Sequence, residues 1–307
     1  MKKYLIIGGA GFIGSHFSEA LLERGDEVVV IDNYPTGAKD DNGGRIKVYS
    51  ADVDNRKEVV ELLKKEKPDF VYHLAGVINL RRETSDPLFV KDLNFLERTE
   101  SVLEAFRLSN AKKFIFISSG GAIYENATTV PTPESYQAHP TMLYGSANLA
   151  IEKYIEAYCK KHNLNFAILR LSNVYGPRQW KSGLVPSMVV KILAGESPVI
   201  YGSGNQTRDF IYIDDAVRAI IASSEKGDNE IYNVGSGKET SLNEIFKIAI
   251  NLINSKIEPI YEELHKEESK RSALEISKIK NDLNWEPEIN IEEGLAKTIS
   301  WHKENAK

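Results

Sequence analysis

A chain of 307 residues, 42% of them hydrophobic, has enough apolar material for a buried core in one large domain or two modest ones. Its formal charge of −5 disfavours a general nucleic-acid footprint and leaves room only for a local phosphate site. The single cysteine, Cys159, excludes an internal disulfide framework; it falls in an apolar helical pattern, as a buried thiol does, and points to a reducing compartment.

The opening MKKYLIIGGAGF sets two lysines before an apolar run too short for a signal peptide or a membrane span, and glycines interrupt it at once. It reads as the first strand of a cytoplasmic protein. Short apolar runs then alternate with longer amphipathic ones. The runs are EVVVID, IKVYSAD, DFVYHLAG, KFIFISS and NFAILRLS, and the helical stretches lie at 12–24, 55–66, 87–109 and 142–162. This alternation predicts an α/β protein built on a doubly wound parallel sheet of the Rossmann kind. After NVYGPRQ the pattern is less regular. A helix is expected at 185–195, a strand pair through PVIYGSG and RDFIYIDD, a helix from 215, a strand at EIYNVGS, and further helices to the end. The expected division is a nucleotide-binding domain over 1–173, with added elements from 211–235, and a smaller mixed substrate lobe over 174–307. The charge-dense EELHKEESKR, 262–271, is expected to be a solvated loop.

The first strand runs into Gly8, Gly9, Gly11, Phe12, Ile13 and Gly14. Glycine suits a sharp strand-to-helix turn, close approach of backbone to a pyrophosphate, and tight packing of helix on sheet; the helix N-terminus then meets the phosphates. The second strand ends at Asp32, 18 residues after Gly14. A carboxylate there accepts hydrogen bonds from a ribose and repels a 2′-phosphate, which selects NAD over NADP. Asn33 follows it. Asp52 and Val53, after the third strand, are candidates for the adenine, with turn capping as the competing role for Asp52. Leu74, Ala75 and Gly76 end the fourth strand with residues that let a cofactor pass closely. His73 reads as a packed strand residue, and six scattered histidines offer no metal spacing.

The segments GGAGFIGSH, VIDNYPTG, HLAG, SSGGAIY, YGSANLAIEKY, LRLSNVYGPRQ and GNQTRDFIYIDDAVRAI occur in the order and at the separations of the extended short-chain dehydrogenases. Over essentially its whole length the chain resembles the UDP-glucose 4-epimerase group of nucleotide-sugar epimerases. That resemblance implies an NAD enzyme in which Tyr144 transfers a proton and Ser119 hydrogen-bonds the reacting hydroxyl. It also places Asn173 and Arg208 near the diphosphate of a UDP-sugar, and implies a homodimer formed through the helices at 87–109 and 142–162. Gly120, Gly121 and Ala122 carry nothing that moves a proton, where dehydratases and decarboxylases of the family have an acidic residue; simple 4-epimerisation is the better match.

Three positions depart from the family pattern. Asn148 stands where a lysine would follow Tyr144 by four residues, Glu125 stands in the glycine place of a Tyr-Gly pair, and a second diphosphate arginine aligns with His265 or Lys266. Asn148 shares a helix face with Tyr144 and retains hydrogen bonds for the nicotinamide ribose, but it has no charge. Lys153 lies about half a turn away and does not replace it. A slow 4-epimerase, an epimerase of another UDP-sugar, and an inactive NAD or nucleotide-sugar binder all remain open at this level.

Overall fold

The computed structural model describes residues 1–33, 42–74, 95–179, 183–263 and 270–305. Six parallel strands form the first part of the central sheet: β1 (Lys3–Ile7), β2 (Glu27–Asp32), β3 (Lys47–Ser50), β4 (Phe70–His73), β5 (Lys113–Ser119) and β6 (Phe166–Leu171). Between them run α1 (Phe12–Glu23), α2 (Arg56–Glu66), α3 (Phe95–Arg107), the single turn α4 (Gly120–Ile123) and α5 (Leu143–His162). Residues 87–94 of the helix expected at 87–109 lie outside the described residues.

Both faces of the sheet are covered, which is why its strands read as continuous apolar runs. Alternate residues of one strand serve opposite cores: Tyr4 and Ile6 pack with Phe17, Tyr72 and Ile115, whereas Leu5 and Ile7 pack with Val71, Phe114 and Phe116. Cys159 belongs to the second core, where burial pushes its thiol up to about 12 and leaves it unreactive.

After β6 the chain builds β7 (Asn173–Tyr175), α6 (Leu184–Leu193), β8 (Val199–Tyr201), β9 (Thr207–Arg208), β10 (Phe210–Tyr212) and α7 (Ile213–Glu225). It then returns to the sheet as β11 (Glu230–Val234), completing the order β11-β6-β5-β4-β1-β2-β3. β12 (Thr240–Ser241), α8 (Leu242–Ile253), β13 (Ile260–Glu262), α9 (Ser277–Leu283) and α10 (Ile291–Asn305) follow.

The strands of PVIYGSG and RDFIYIDD do not pair with each other, contrary to expectation. β8 pairs with β13, and β10 pairs in parallel with β7. Phe210, Ile211 and Tyr212 are all buried, so this strand needs cover on both faces and finds it beside the continuation of β6. Glycines with positive φ, Gly202 at 74° and Gly204 at 73°, turn the chain away from β8 instead of closing a hairpin. No helix among the described residues is long and apolar enough to cross a membrane.

Candidate active site

Strand order reverses between β1 and β4, and the crevice beyond their C-terminal ends is where open α/β sheets hold ligands. The glycine loop lies there. Gly8 adopts φ 81°, a left-handed turn that ends β1, and its N–H donates to Ile31 O at 2.9 Å. A Cβ at Gly14 would stand 2.6 Å from both Gly8 O and Gly9 Cα, so only glycine lets α1 start this close to the strand. Gly11 caps α1 without a side-chain hydrogen bond, and no acidic residue occupies the first turn. The leading N–H groups are therefore directed at whatever anion enters the crevice. Phe12 and Ile13 anchor the same turn on the core.

Asp32 ends β2 and is largely buried; its Oδ2 accepts the Ala10 N–H at 2.9 Å, which locks the carboxylate to the glycine loop. Asn33 Nδ2 donates to Asp52 Oδ2 at 3.2 Å. β3 stops at Ser50, so Asp52 sits on the following turn, where Oδ1 caps Asp54 N–H at 3.0 Å. That backbone hydrogen bond, with help from Asn33 and Arg98, holds its pKa below the ordinary value. Val53 is buried beside it, and Leu74 N–H donates to Ile7 O at 2.8 Å, continuing the β4–β1 ladder to the crevice. These residues form a cradle suited to a dinucleotide. Ala75 and Gly76 lie outside the described residues. His73 is a packed strand residue: it is buried, its Nε2 meets Thr99 Oγ1 at 3.2 Å, and burial lowers its pKa to about 4. Among the described residues no cluster could hold a metal ion.

β5 delivers Ser119 as the N-cap of α4, and α5 delivers Tyr144 in its first turn and Asn148 one turn later. Burial pushes the Tyr144 phenol up to about 12, while hydrogen bonds from Asn148 and Ser119 pull it back. The structure thus brings the three residues together. Asn148 is buried and also donates from Nδ2 to Tyr144 O at 2.9 Å. Lys153 turns outward to Glu156 at 2.6 Å.

Asn173 is tied to Asp209, the residue that follows Arg208. Asn173 N and Nδ2 donate to Asp209 O at 2.9 and 3.2 Å. The buried Asp209 carboxylate accepts from Ser236 N and Oγ, Gly237 N and Leu274 N, which fixes this corner of the chain. Beside Arg208, Thr207 Oγ1 donates to Glu239, and Arg271 forks onto the same carboxylate. Arg271 adds a second guanidinium to this edge that sequence reading did not single out. His265 and Lys266 lie outside the described residues.

A buried network under the site also escaped the sequence reading. Arg170 on β6 forks onto Glu152 of α5, with Nε 3.0 Å from Oε1; Glu152 also accepts from Ser118 Oγ at 2.6 Å, and Arg170 Nη1 reaches the Tyr124 hydroxyl. Two signals were available: a lone arginine inside an apolar strand, and Glu152 continuing the Tyr144–Asn148 stripe at a further four residues.

The sequence profile of the NAD dependent epimerase/dehydratase family matches residues 4–235. A Methanocaldococcus jannaschii protein provisionally assigned as a UDP-glucose 4-epimerase is 38% identical over 305 residues, 98% of each chain. A UDP-glucuronate 4-epimerase of Thermodesulfobacterium geofontis is 33% identical, covering 99% of this chain and 97% of its own. The crystal structure of the Thermotoga maritima UDP-glucose 4-epimerase with UDP-glucose superposes with a TM-score of 0.95 at 35% identity, covering 99% of this chain and 100% of that one.

Proposed function

The chain belongs to the NAD-dependent epimerase/dehydratase family, so NAD is its cofactor, and we propose that it is a cytoplasmic 4-epimerase of the UDP-glucose/UDP-galactose type. The observation that carries this reading is the meeting of Ser119, Tyr144 and Asn148 beside the glycine-loop crevice. Bound NAD supplies reversible acceptance of hydride from the sugar carbon. Gly8, Gly11, Phe12, Ile13, Gly14 and Asp32 are the residues to hold it, with Asn33, Asp52, Val53 and Leu74 toward the adenosine and Tyr144 and Asn148 toward the ribose.

Tyr144 takes the proton from the sugar O4 and returns it after the 4-keto sugar has turned over, which inverts the centre without net redox change. Ser119 hydrogen-bonds the same oxygen and keeps it in line with the phenol. Asn173 and Arg208 hold the diphosphate, Arg208 through the forked geometry a guanidinium presents to phosphate oxygens. Gly120, Gly121 and Ala122 follow Ser119 without an acid or a base, which favours epimerisation over dehydration or decarboxylation.

The relatives act on more than one UDP-sugar, so the substrate is tested directly. Purified protein with NAD is offered UDP-galactose, UDP-N-acetylglucosamine and UDP-glucuronate, and the 4-epimers are separated by chromatography. The expected result is fastest conversion of UDP-galactose, abolished in Tyr144→Phe. Faster conversion of the uronate or the N-acetyl sugar would reassign the substrate. NAD and UDP binding without any conversion would make the chain a binding protein.

A further inference from the structure

We propose that Glu125 is a positioning residue that sets the spacing of Ser119 and Tyr144, an inference that rests on the epimerase reading above. The left-handed backbone in this turn falls on Asn126, φ 56°, a residue type that tolerates it. Position 125 therefore has no need of glycine, and a carboxylate stands there without strain. The Glu125 side chain is 8% exposed and reaches across to the start of α5. Its Oε2 accepts three hydrogen bonds: from Thr141 N at 2.9 Å, Thr141 Oγ1 at 2.9 Å and Met142 N at 3.1 Å.

Those contacts join the two halves of the site. Ser119 is the N-cap of α4, which ends at Ile123, two residues before Glu125. Met142 is the N-cap of α5, two residues before Tyr144, and its own side chain makes no capping hydrogen bond. One carboxylate thus ties the end of the serine's turn to the beginning of the tyrosine's helix. Gly145 lets the two elements touch, since a Cβ there would collide with the Ala122 carbonyl.

Between the tied ends runs the segment 127–140, which is engaged with the C-terminal part of the chain. Thr132 N donates to Ala273 O at 2.8 Å, Glu275 N to Thr132 O at 3.0 Å, and Asn233 Nδ2 to Thr132 O at 2.9 Å. A displacement of 273–275 would travel through this segment into Tyr144 if nothing closed it. Glu125 closes it at the neck, so the Ser119–Tyr144 distance does not depend on the loop. The second carboxylate oxygen, Oε1, is buried without a partner, so the three donors on Oε2 are what hold the group in place.

Two variants separate position from charge. Glu125→Gln keeps an oxygen for the same donors, whereas Glu125→Ala removes the tie. A displacement of about 1 Å between reacting groups costs roughly a hundredfold. Glu125→Ala is therefore expected to lower kcat by about that factor with KM changed less than about threefold, and Glu125→Gln to lose less than about fivefold. Crystal structures of both variants with NAD give a readout that needs no turnover: the Ser119–Tyr144 hydrogen bond is kept in Glu125→Gln and broken in Glu125→Ala. An undisturbed pair in Glu125→Ala overturns the proposal, and so does a Glu125→Gln enzyme as slow as Glu125→Ala, which would assign the effect to charge. If Glu125→Ala does not fold, Glu125→Gly, which sets the family's own residue at this position, removes the tie in its place; an unbroken Ser119–Tyr144 hydrogen bond in that variant overturns the proposal. A wild-type protein inactive on every UDP-sugar would sink the epimerase reading and leave the crystallographic comparison decisive for this one.

Discussion

In the proposed reaction Tyr144 has to be a phenolate before it can take a proton from a sugar hydroxyl, and burial holds its pKa at about 12. At pH 7 the phenolate fraction is then on the order of one in 10⁵, so the rate is set by how far neighbours pull that value down. A lysine at 148 would place a cation about 5 Å away, worth about 3 kcal/mol at an effective dielectric near 20, or roughly two pKa units. Asn148 supplies hydrogen bonds and no charge. The expected pH–rate profile of the wild type therefore climbs by about tenfold per pH unit between pH 7 and 10. Asn148→Lys should run about a hundredfold faster at pH 7, with its profile levelling off at lower pH. Initial rates of UDP-galactose conversion at fixed ionic strength check both. A wild-type profile flat over this range would mean that Tyr144 is not the group whose ionisation limits turnover. The sequence made this residue legible because helix periodicity alone puts 144 and 148 on one face. The upward push on the phenol was not legible there, because burial is a property of the folded surroundings.

At the scale of elements, α5 is held to the sheet by more than apolar contact. Glu152, fully buried on its inner face, is forked by Arg170 of β6 and receives the Ser118 hydroxyl, so the helix is keyed to the two strands that end at the site. A buried charge left alone costs far more than the pair contributes, so breaking one partner is the informative change. Glu152→Ala is expected to destabilise the protein by about 3–5 kcal/mol, whereas Glu152→Leu combined with Arg170→Met should recover most of that loss. Urea unfolding followed by circular dichroism measures both, and a single variant as stable as the double would show that the network is spanned by water. The glycine loop, Asp32 and the alternation of strand and helix were readable because each is a local pattern. Glu152 with Arg170, and Glu125 with Thr141, are pairs 18 and 16 residues apart that only the tertiary fold assembles. The misassigned partners of β8 and β10 have the same cause: short apolar strands carry no signal of which neighbour will cover them.

For the molecule as a whole, the pairing of α3 and α5 bears on assembly. The two helices are stiffened against each other: Tyr158 donates to Glu104 at 2.5 Å, Arg107 forks onto that same carboxylate, and Tyr154 stacks on Tyr158 at 6.0 Å. Leu96 of α3, Leu143 of α5 and Leu108 just beyond α3 are nonetheless 44, 44 and 41% exposed. A second copy packed two-fold on this pair would cover them in a four-helix contact, with each helix meeting its equivalent. The proposed homodimer is expected to sediment at twice the chain mass of 34.4 kDa at micromolar concentration. Leu96→Arg, which sets a charge on the covered face and repels its symmetry mate, should shift the protein to the monomer. The far-ultraviolet circular dichroism spectrum should be unaltered, because Leu96 makes no contribution to either core. If wild type and Leu96→Arg both sediment as monomers, the pairing is wrong. If both sediment as dimers, assembly uses another face. The site needs no residue from a partner for its proton transfer, since Ser119, Tyr144 and Asn148 come from one chain. The proposed dimer would act instead on α5, whose first turn carries Tyr144, so a monomeric variant should lose thermal stability before it loses turnover per folded site.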